Sequence, residues 1–275
     1  MKSLIAGSKI NLKDLFEGDF FFLTPTKESQ DLLAYCLGLI EICFEEKAED
    51  ISLANNKSDI ASFVKKSTEC KSLFTNSSKT KVFMKNLIIS RYGDSLASEL
   101  LFDLPRLRII PESEVLSAGI SYNYQPHRDS WYGAGQDQIN HWMAVSNVKK
   151  ESTFFVSPSY FEQPVINQSD KFDLKDWERN YRDLAAQNIT KEERPHPLPL
   201  IDIPDQERLS IVIPPAWELA FSGTHLHGSS KSTNKKVRFS IDYRIYQKVN
   251  KYNIPENIDN NATGDFREDL FPVID

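Results

Sequence analysis

The chain has 275 residues, and 33 Lys+Arg against 39 Asp+Glu give a formal net charge of −6. Hydrophobic residues at 40% and aromatic residues at 11% describe a folding chain long enough to bury a core without a disulfide framework, not a disordered one. The mild acidity speaks against a nucleic-acid binder, which normally presents a basic face. No apolar run reaches the roughly 18 residues of a membrane span: the longest, Leu32 to Phe44, contains Glu41 and runs into Glu45 and Glu46.

In chain order, Met1–Gly7 lacks the sustained apolar stretch of a secretory signal, so a cytoplasmic location is expected. Glu28–Lys47 places Leu32, Leu33, Cys36, Leu37, Ile40 and Cys43 on one face of a helix. Residues 57–91 also read as helical, with Ser and Lys interrupting the pattern. Cys36, Cys43 and Cys70 are odd in number and show no CxxC spacing, which reads as free or buried thiols in a reducing compartment. Short strand-like segments then follow: Arg106–Pro111, Gly119–Tyr124, Gln138–Val145, Thr153–Ser157, Ser210–Ile213, Trp217–Phe221 and Val237–Tyr246. Pro, Gly and Asn separate many of them, as in a sandwich or barrel. Gln168–Gln206 interrupts the series, with Asp173–Asn188 a candidate helix and the Pro-rich 194–199 extended. An insertion of that size between core strands is often a lid. The Asn- and Asp-rich tail from Tyr252 reads as a surface segment, and the whole, 1–275, as one domain of N-terminal helices packed on a β core.

Three of only five histidines fall in two short motifs, His127-Arg128-Asp129 and His225-Leu226-His227. Residues two apart in an extended segment point the same way, so His127 and Asp129 can converge on one ion. One imidazole from the second motif completes two histidines and a carboxylate. That set leaves coordination positions open and suits non-haem Fe(II) that must also bind a cosubstrate and O2. Eleven residues past His227, Arg238 begins a strand with a guanidinium fork able to grip a carboxylate. Taken singly, an HxD is a common surface ion pair and Arg238 an ordinary strand-end arginine.

Two stretches, Tyr122-Asn123-Tyr124-Gln125-Pro126-His127-Arg128-Asp129-Ser130-Trp131-Tyr132-Gly133 and Leu226-His227-Gly228-Ser229 with Arg238–Arg244, together resemble the phytanoyl-CoA dioxygenase-like branch of the Fe(II)/2-oxoglutarate-dependent oxygenases. A weaker likeness extends to Phe16–Leu23 and Thr153–Pro158. The resemblance implies a mainly β fold with flanking α, a double-stranded β-helix (jelly-roll or cupin-like) core with the iron at its mouth. It implies His127, Asp129 and His227 as metal ligands, and Arg238 with the Ser229 hydroxyl on the distal carboxylate of 2-oxoglutarate. The implied cofactors are Fe(II), 2-oxoglutarate and O2, and the implied reaction hydroxylates a small-molecule metabolite with release of succinate and CO2. Related halogenases carry a small residue where this chain has Asp129, which points to hydroxylation or a kindred oxidation. The chain departs from the family in having Ser232 where Asn is common and Ser152-Thr153 where Asn-Gly is common.

His227 is preferred to His225 as ligand for its following Gly-Ser and its spacing to Arg238, leaving His225 as a neighbour or substrate contact. Gln138 and Asn140 share one strand face, where a cosubstrate or substrate role and a satisfied core hydrogen bond are both open. Trp131 and Tyr132 wall a pocket or fill the core, and Tyr124 is a further substrate candidate. Arg106, Arg108 and Arg128 can hold a substrate carboxylate if they face the mouth. His141 reads as packed or superficial and His196 as exposed. Two rivals stand beside the oxygenase: a zinc hydrolase with the same three ligands, and a non-catalytic metabolite-binding jelly roll.

Overall fold

Capping chemistry shapes the first half of the chain. β1 (Leu4–Gly7) runs parallel to β2 (Phe20–Leu23), joined through α1 (Leu12–Phe16), whose cap Asn11 accepts from the Lys13 N–H. α2 (Lys27–Phe44) opens on a reciprocal capping box between Thr26 and Ser29 and stops at Glu45, left-handed at φ 62°. The helical stretch expected over 57–91 is two helices, α3 (Lys57–Asn76) and α4 (Ser78–Tyr92), because Ser77 leaves the helix to cap α4 by accepting from the Lys79 N–H. A single turn, α5 (Asp94–Ala97), leads into the strands. The computed structural model describes residues 4–7, 9–53, 57–122, 125–187, 191–249, 251–252, 259–263 and 270–274.

The strands are β3 (Leu100–Phe102), β4 (Arg106–Ile110), β5 (Ile139–Ala144), β6 (Phe154–Val156), β7 (Leu209–Ser210), β8 (Glu218–Ser222), β9 (His227–Ser229), β10 (Arg238–Gln247) and β11 (Phe271–Pro272), with α6 (Leu174–Asn180) between β6 and β7. The large sheet runs β1-β2-β8-β5-β10-β3-β11, antiparallel except at β1/β2, and β4 pairs with the first half of β10. A small sheet runs β7-β6-β9. The architecture is therefore mixed α/β around a mostly antiparallel sheet.

The period-two pattern of β10 separates its two faces. Phe239, Ile241, Tyr243 and Ile245 are buried with Leu32, Cys36, Ile40, Met84 and Leu87 of the helices. On the large sheet's other face, Trp142, Ala144, Leu219 and Phe221 pack with Phe154 and Val156 of the small sheet. Arg238, Asp242 and Arg244 line a cavity on that second side.

Behind the sheet, Glu218 joins helix to strand. It accepts from Arg91 Nε at 2.9 Å and Nη2 at 2.5 Å, and from Tyr243 Oη at 2.5 Å, with both ionic side chains fully buried. His141, facing the helices, bonds the Tyr92 hydroxyl at 2.8 Å and lies 3.2 Å from Glu218. His141 is thus the packed histidine of the two options the sequence leaves open.

Several expectations are corrected. Gly119–Ser121 forms a 3-10 turn instead of the start of a strand, because Gly119 takes φ +58° and its N–H and C=O are held by Glu192 and Arg194. Ser210–Ile213 keeps only Leu209–Ser210 as strand before Pro214 and Pro215. The helix proposed over 173–188 ends at Asn180 and continues as a 3-10 turn over Arg182–Ala186. The tail is not wholly superficial: Asp259 is 9% exposed and binds Arg128, Trp131 and Val165.

Candidate metal centre

His127 and His227 face one another across a two-residue antiparallel bridge, each donating its N–H to the other's carbonyl at 2.8 and 2.9 Å. Gly228 permits that approach, since a Cβ there would lie 2.9 Å from the Phe155 ring and 3.0 Å from Pro126 N. Both imidazoles are oriented the same way. Nδ1 of His127 bonds the Gln125 carbonyl at 2.8 Å and Nδ1 of His227 bonds the His225 carbonyl at 2.9 Å. A carbonyl is only an acceptor, so each Nδ1 carries the proton and each Nε2 is left as a lone-pair donor.

The third group comes from Asp129, which begins a 3-10 turn (Asp129–Tyr132). Its Oδ1 lies 3.6 Å from His127 Nε2 and 3.7 Å from His227 Nε2, and the three ligand atoms fall within 4.8 Å of one another. Its other oxygen is occupied: Oδ2 accepts from Gln138 Nε2 at 2.5 Å and Asn140 Nδ2 at 2.6 Å. Gln138 also donates to Asn140 Oδ1 and accepts from the Tyr246 hydroxyl. The carboxylate is thereby held to present one oxygen beside two imidazole nitrogens, a donor set that fits a divalent iron or zinc ion.

Electrostatics agree with this geometry. Burial raises the Asp129 carboxyl, but His227 and His127 together with Arg244 outweigh it and hold it below the ordinary carboxylate range. Burial lowers His227 to about 4, with His127 acting in the same sense, so its imidazole is neutral at pH 7 as a metal ligand must be.

The cavity beside these groups holds about 310 Å³, at the lower end of small-molecule sites. Arg238 lines it while 5% exposed, and its Nε and Nη1 meet no hydrogen-bond acceptor among the described residues. Burial lowers this guanidinium to about 10, opposed by Asp242, which leaves it charged at neutral pH. A buried charge with two open donors is costly unless a partner arrives, so its chemistry fits an anionic ligand. Ser229 lines the same cavity.

Other candidates are distributed differently from expectation. Gln138 does not line the cavity; its amide is engaged behind Asp129, where it holds the carboxylate through Oδ2. Asn140 lines the cavity and also holds Asp129. Trp131 is fully buried, donating to Asp259 Oδ1 and packing with Val165, Ile203 and Leu226. His225 is likewise fully buried among Phe20, Phe161 and Phe221, its ring nitrogens 3.1 Å from the carbonyls of Ser222 and Gly18. Neither lines the cavity, which corrects their assignment as substrate contacts. Tyr124 lies outside the described residues.

Arg106 and Arg108 face the cavity, whereas Arg128 turns away, its guanidinium bonded to Asp259 and to the carbonyls of Thr224, Tyr160 and Gln163. His196 is not exposed either. Its side chain is 3% exposed and stacks on Tyr122 at 4.2 Å, with the Tyr132 hydroxyl 3.1 Å from Nδ1. Proline spacing signals only extended backbone there, and the docking of 192–196 onto Gly119 is a tertiary event. Nothing local to Tyr246, Glu192 or Arg194 in the sequence signals a place at the site.

The sequence matches no family model and no curated protein. Among solved structures it is similar to ThoJ in its apo form, described as a non-heme monooxygenase, at 12% identity and TM-score 0.49, covering 86% of this chain and 77% of that one. It is similar to EvdO2 from Micromonospora carbonacea var. aurantiaca complexed with 2-oxoglutarate, at 11% identity and TM-score 0.49, over 90% and 95% of the two chains. It also overlaps the epimerase SnoN in complex with Fe3+, alpha-ketoglutarate and nogalamycin RO, at 12% identity and TM-score 0.44, over 86% and 82%. Overlaps this distant assign no chemistry, which has to be read from the side chains.

Proposed function

We propose that this chain is an Fe(II)- and 2-oxoglutarate-dependent oxygenase that hydroxylates a small-molecule metabolite. The observation that carries the reading is one cavity holding both a His127–Asp129–His227 donor cluster and two buried donors of Arg238 that have no hydrogen-bond partner among the described residues. When bound there, iron with 2-oxoglutarate supplies oxidation of an unactivated C–H bond by O2, releasing succinate and CO2. The protein's share is positional. His127 and His227 present Nε2 because their Nδ1 protons are committed to backbone, and Gln138 with Asn140 keep Asp129 Oδ1 aimed between them. Arg238, seconded by the Ser229 hydroxyl, grips the distal carboxylate of the cosubstrate. Asp129 in the third ligand position favours hydroxylation over halogenation.

In this reading the facing sheets are a double-stranded β-helix core, the chain is akin to the phytanoyl-CoA dioxygenase-like branch, and the whole chain is one catalytic unit. The insertion 168–206 acts as a lid, supported by Phe172, Trp177 and Arg194 on the cavity wall. Three free cysteines suit a reducing cytoplasm, where iron stays ferrous. A zinc hydrolase has no use for a carboxylate clamp at Arg238, and a binding module has none for an oriented ligand triad.

Anaerobic protein loaded with Fe(II) is to be titrated with 2-oxoglutarate and followed by its metal-to-ligand charge-transfer band. A saturable band that Arg238→Ala shifts to at least tenfold higher 2-oxoglutarate concentration supports the reading. Absence of the band, or indifference to Arg238→Ala, ends it.

A further inference from the structure

Two elements bring polar side chains to the cavity beyond the metal cluster. The period of β10 sets Arg238, Asp242 and Arg244 on the cavity side. From the 168–206 insertion comes α6, fixed at its start: Leu174 is buried with its N–H on the Thr263 carbonyl, and Asp173 accepts from the Asp176 N–H and the Thr263 hydroxyl. One turn further along, Trp177 and Glu178 line the cavity. Most polar groups of the lining are engaged by the protein itself. Asn140 holds Asp129 at 2.6 Å, Arg108 Nε donates to Asp242 Oδ2 at 2.5 Å, Arg182 lies 3.3 Å from Glu178, and Arg194 Nε donates to Glu192 at 2.7 Å. Against that background, Arg238 Nε and Nη1, Asp242 Oδ1 and Trp177 Nε1 are buried and meet no hydrogen-bond partner among the described residues.

With Arg238 given to the cosubstrate, one acceptor and one donor remain. An indole N–H only donates and a carboxylate oxygen only accepts, and buried polar groups are nearly always satisfied. A ligand completing both brings a donor to Asp242 and an acceptor to Trp177. The donor is an uncharged one. Asp242 already pairs with Arg108, and Arg238 and Lys71 lie within its electrostatic reach, so an ammonium at Oδ1 would crowd a further cation against basic side chains. Beside these groups the wall is aromatic: Tyr132 meets Phe172 edge-on at 5.1 Å, and Phe172 meets Trp177 at 6.5 Å. Such faces favour offset or edge contacts with another ring.

We infer that Asp242 and Trp177 are the polar pair that recognises the substrate, Asp242 Oδ1 accepting from a substrate hydroxyl and Trp177 Nε1 donating to a substrate oxygen, and that the substrate is a hydroxyl-bearing ring molecule. Its ring lies against Phe172 and Trp177. Neither recognition atom has work in the fold, which is why the protein can hold both ready for a ligand. The inference rests on the oxygenase reading only for the assignment of Arg238 to the cosubstrate.

Benzyl alcohol and benzyl methyl ether share a ring and an acceptor oxygen, and only the alcohol has a donor. Their affinities are to be measured by ligand-observed NMR titration on metal-free protein and on protein loaded with Zn(II) and 2-oxoglutarate. A site built to bond a hydroxyl rejects the analogue lacking it, so the alcohol is expected to bind at least about tenfold more tightly in both states. In Asp242→Asn, Arg108 draws the amide oxygen to the place of Oδ2 and leaves an NH2 in place of the acceptor. The alcohol should then fall to within about twofold of the ether, a change that exclusion of the ether by size alone would not produce. Trp177→Phe should weaken both probes about fivefold, keep their ratio and leave the Tm unchanged, since Nε1 makes no bond within the fold. Circular dichroism checks that each variant is folded, and the wild-type ratio with Trp177→Phe decides the matter if Asp242→Asn is not. Equal binding of alcohol and ether, no binding of either, a preference that survives Asp242→Asn, or affinities indifferent to Trp177→Phe overturns the proposal. The oxygenase reading fails separately: alcohol preference through Asp242 with no Fe(II)–2-oxoglutarate band keeps the recognition pair and removes the cosubstrate, and the band without that preference does the reverse.

Discussion

Gln138 offers a test in which sequence and structure predict different results. A strand amide two residues from Asn140 invites a cosubstrate contact, yet its Nε2 is spent on Asp129 Oδ2 at 2.5 Å and on Asn140 Oδ1 at 2.8 Å. Gln138→Leu removes one of two hydrogen bonds to a buried carboxylate oxygen. A hydrogen bond to a charged group contributes about 1.5–3 kcal/mol, and loss of such an orienting partner typically costs a metal site about 10–100-fold in affinity. Expected, then, is a roughly tenfold or greater rise in the Fe(II) dissociation constant, measured by anaerobic competition with a chelator. The 2-oxoglutarate affinity of fully metal-loaded variant should stay within about threefold of wild type. A variant with unchanged metal affinity and weakened 2-oxoglutarate binding would refute the positioning role and restore the cosubstrate contact.

Further outcomes are expected elsewhere. Gly228→Ala should abolish tight metal binding, because its Cβ meets Phe155 and the Pro126 backbone and parts His127 from His227; tight Fe(II) binding by a folded variant would contradict this. Glu218→Gln leaves the Arg91 guanidinium buried without a counter-charge, a loss of about 3–5 kcal/mol. With an unfolding entropy of about 2.1 cal/mol/K per residue, that lowers the Tm of a 275-residue chain by roughly 5–9 °C in calorimetry. Burial lowers His225 to about 3 from an ordinary 6.5, outweighing the Gly18 and Ser222 carbonyls that favour its protonated form, so below about pH 6.5 the unfolded chain takes up a proton that the folded one refuses. Its contribution to stability is complete above pH 6.5 and is lost as pH falls toward 3, at up to about 1.4 kcal/mol per pH unit. Glu218, held low against the raising effect of burial by His141 and Arg91, adds a loss in the same direction below about pH 4.5. Urea unfolding from pH 7 to pH 4 should show the decline, and His225→Gln should reduce its slope between pH 6.5 and 4.5, the remainder belonging to His227, His141 and His196, which burial lowers too; an unchanged slope there would count against a neutral buried imidazole at His225.

Much of the secondary structure is legible in the chain because burial alternates with the backbone's own period. β10 lies within a residue of the expected Val237–Tyr246 at each end, and α2 follows the stripe from Leu32 to Cys43. Misreadings fall where long-range partners override local pattern. Gly119–Tyr124 has strand-like residues, but Glu192 and Arg194, more than seventy positions away, fold its start into a turn. His196 has the setting of an exposed loop residue and yet stacks on Tyr122, since proline spacing says where a segment is extended and nothing about what it covers.

By itself the sequence determined the chemistry available: two imidazoles and a carboxylate in an HxD and an HxH, with an arginine at the head of a following strand. Residue type and short spacing carry that information, because side-chain direction over two or three residues follows from the backbone. Only the tertiary structure decided which groups meet. The His127–His227 bridge brings residues a hundred positions apart into contact, the packing of Trp131, Arg128 and His225 turns them away from the cavity, and the Gln138–Asn140 pair closes on one oxygen of Asp129. Such choices depend on loop closure and burial between distant segments, and no local pattern encodes either.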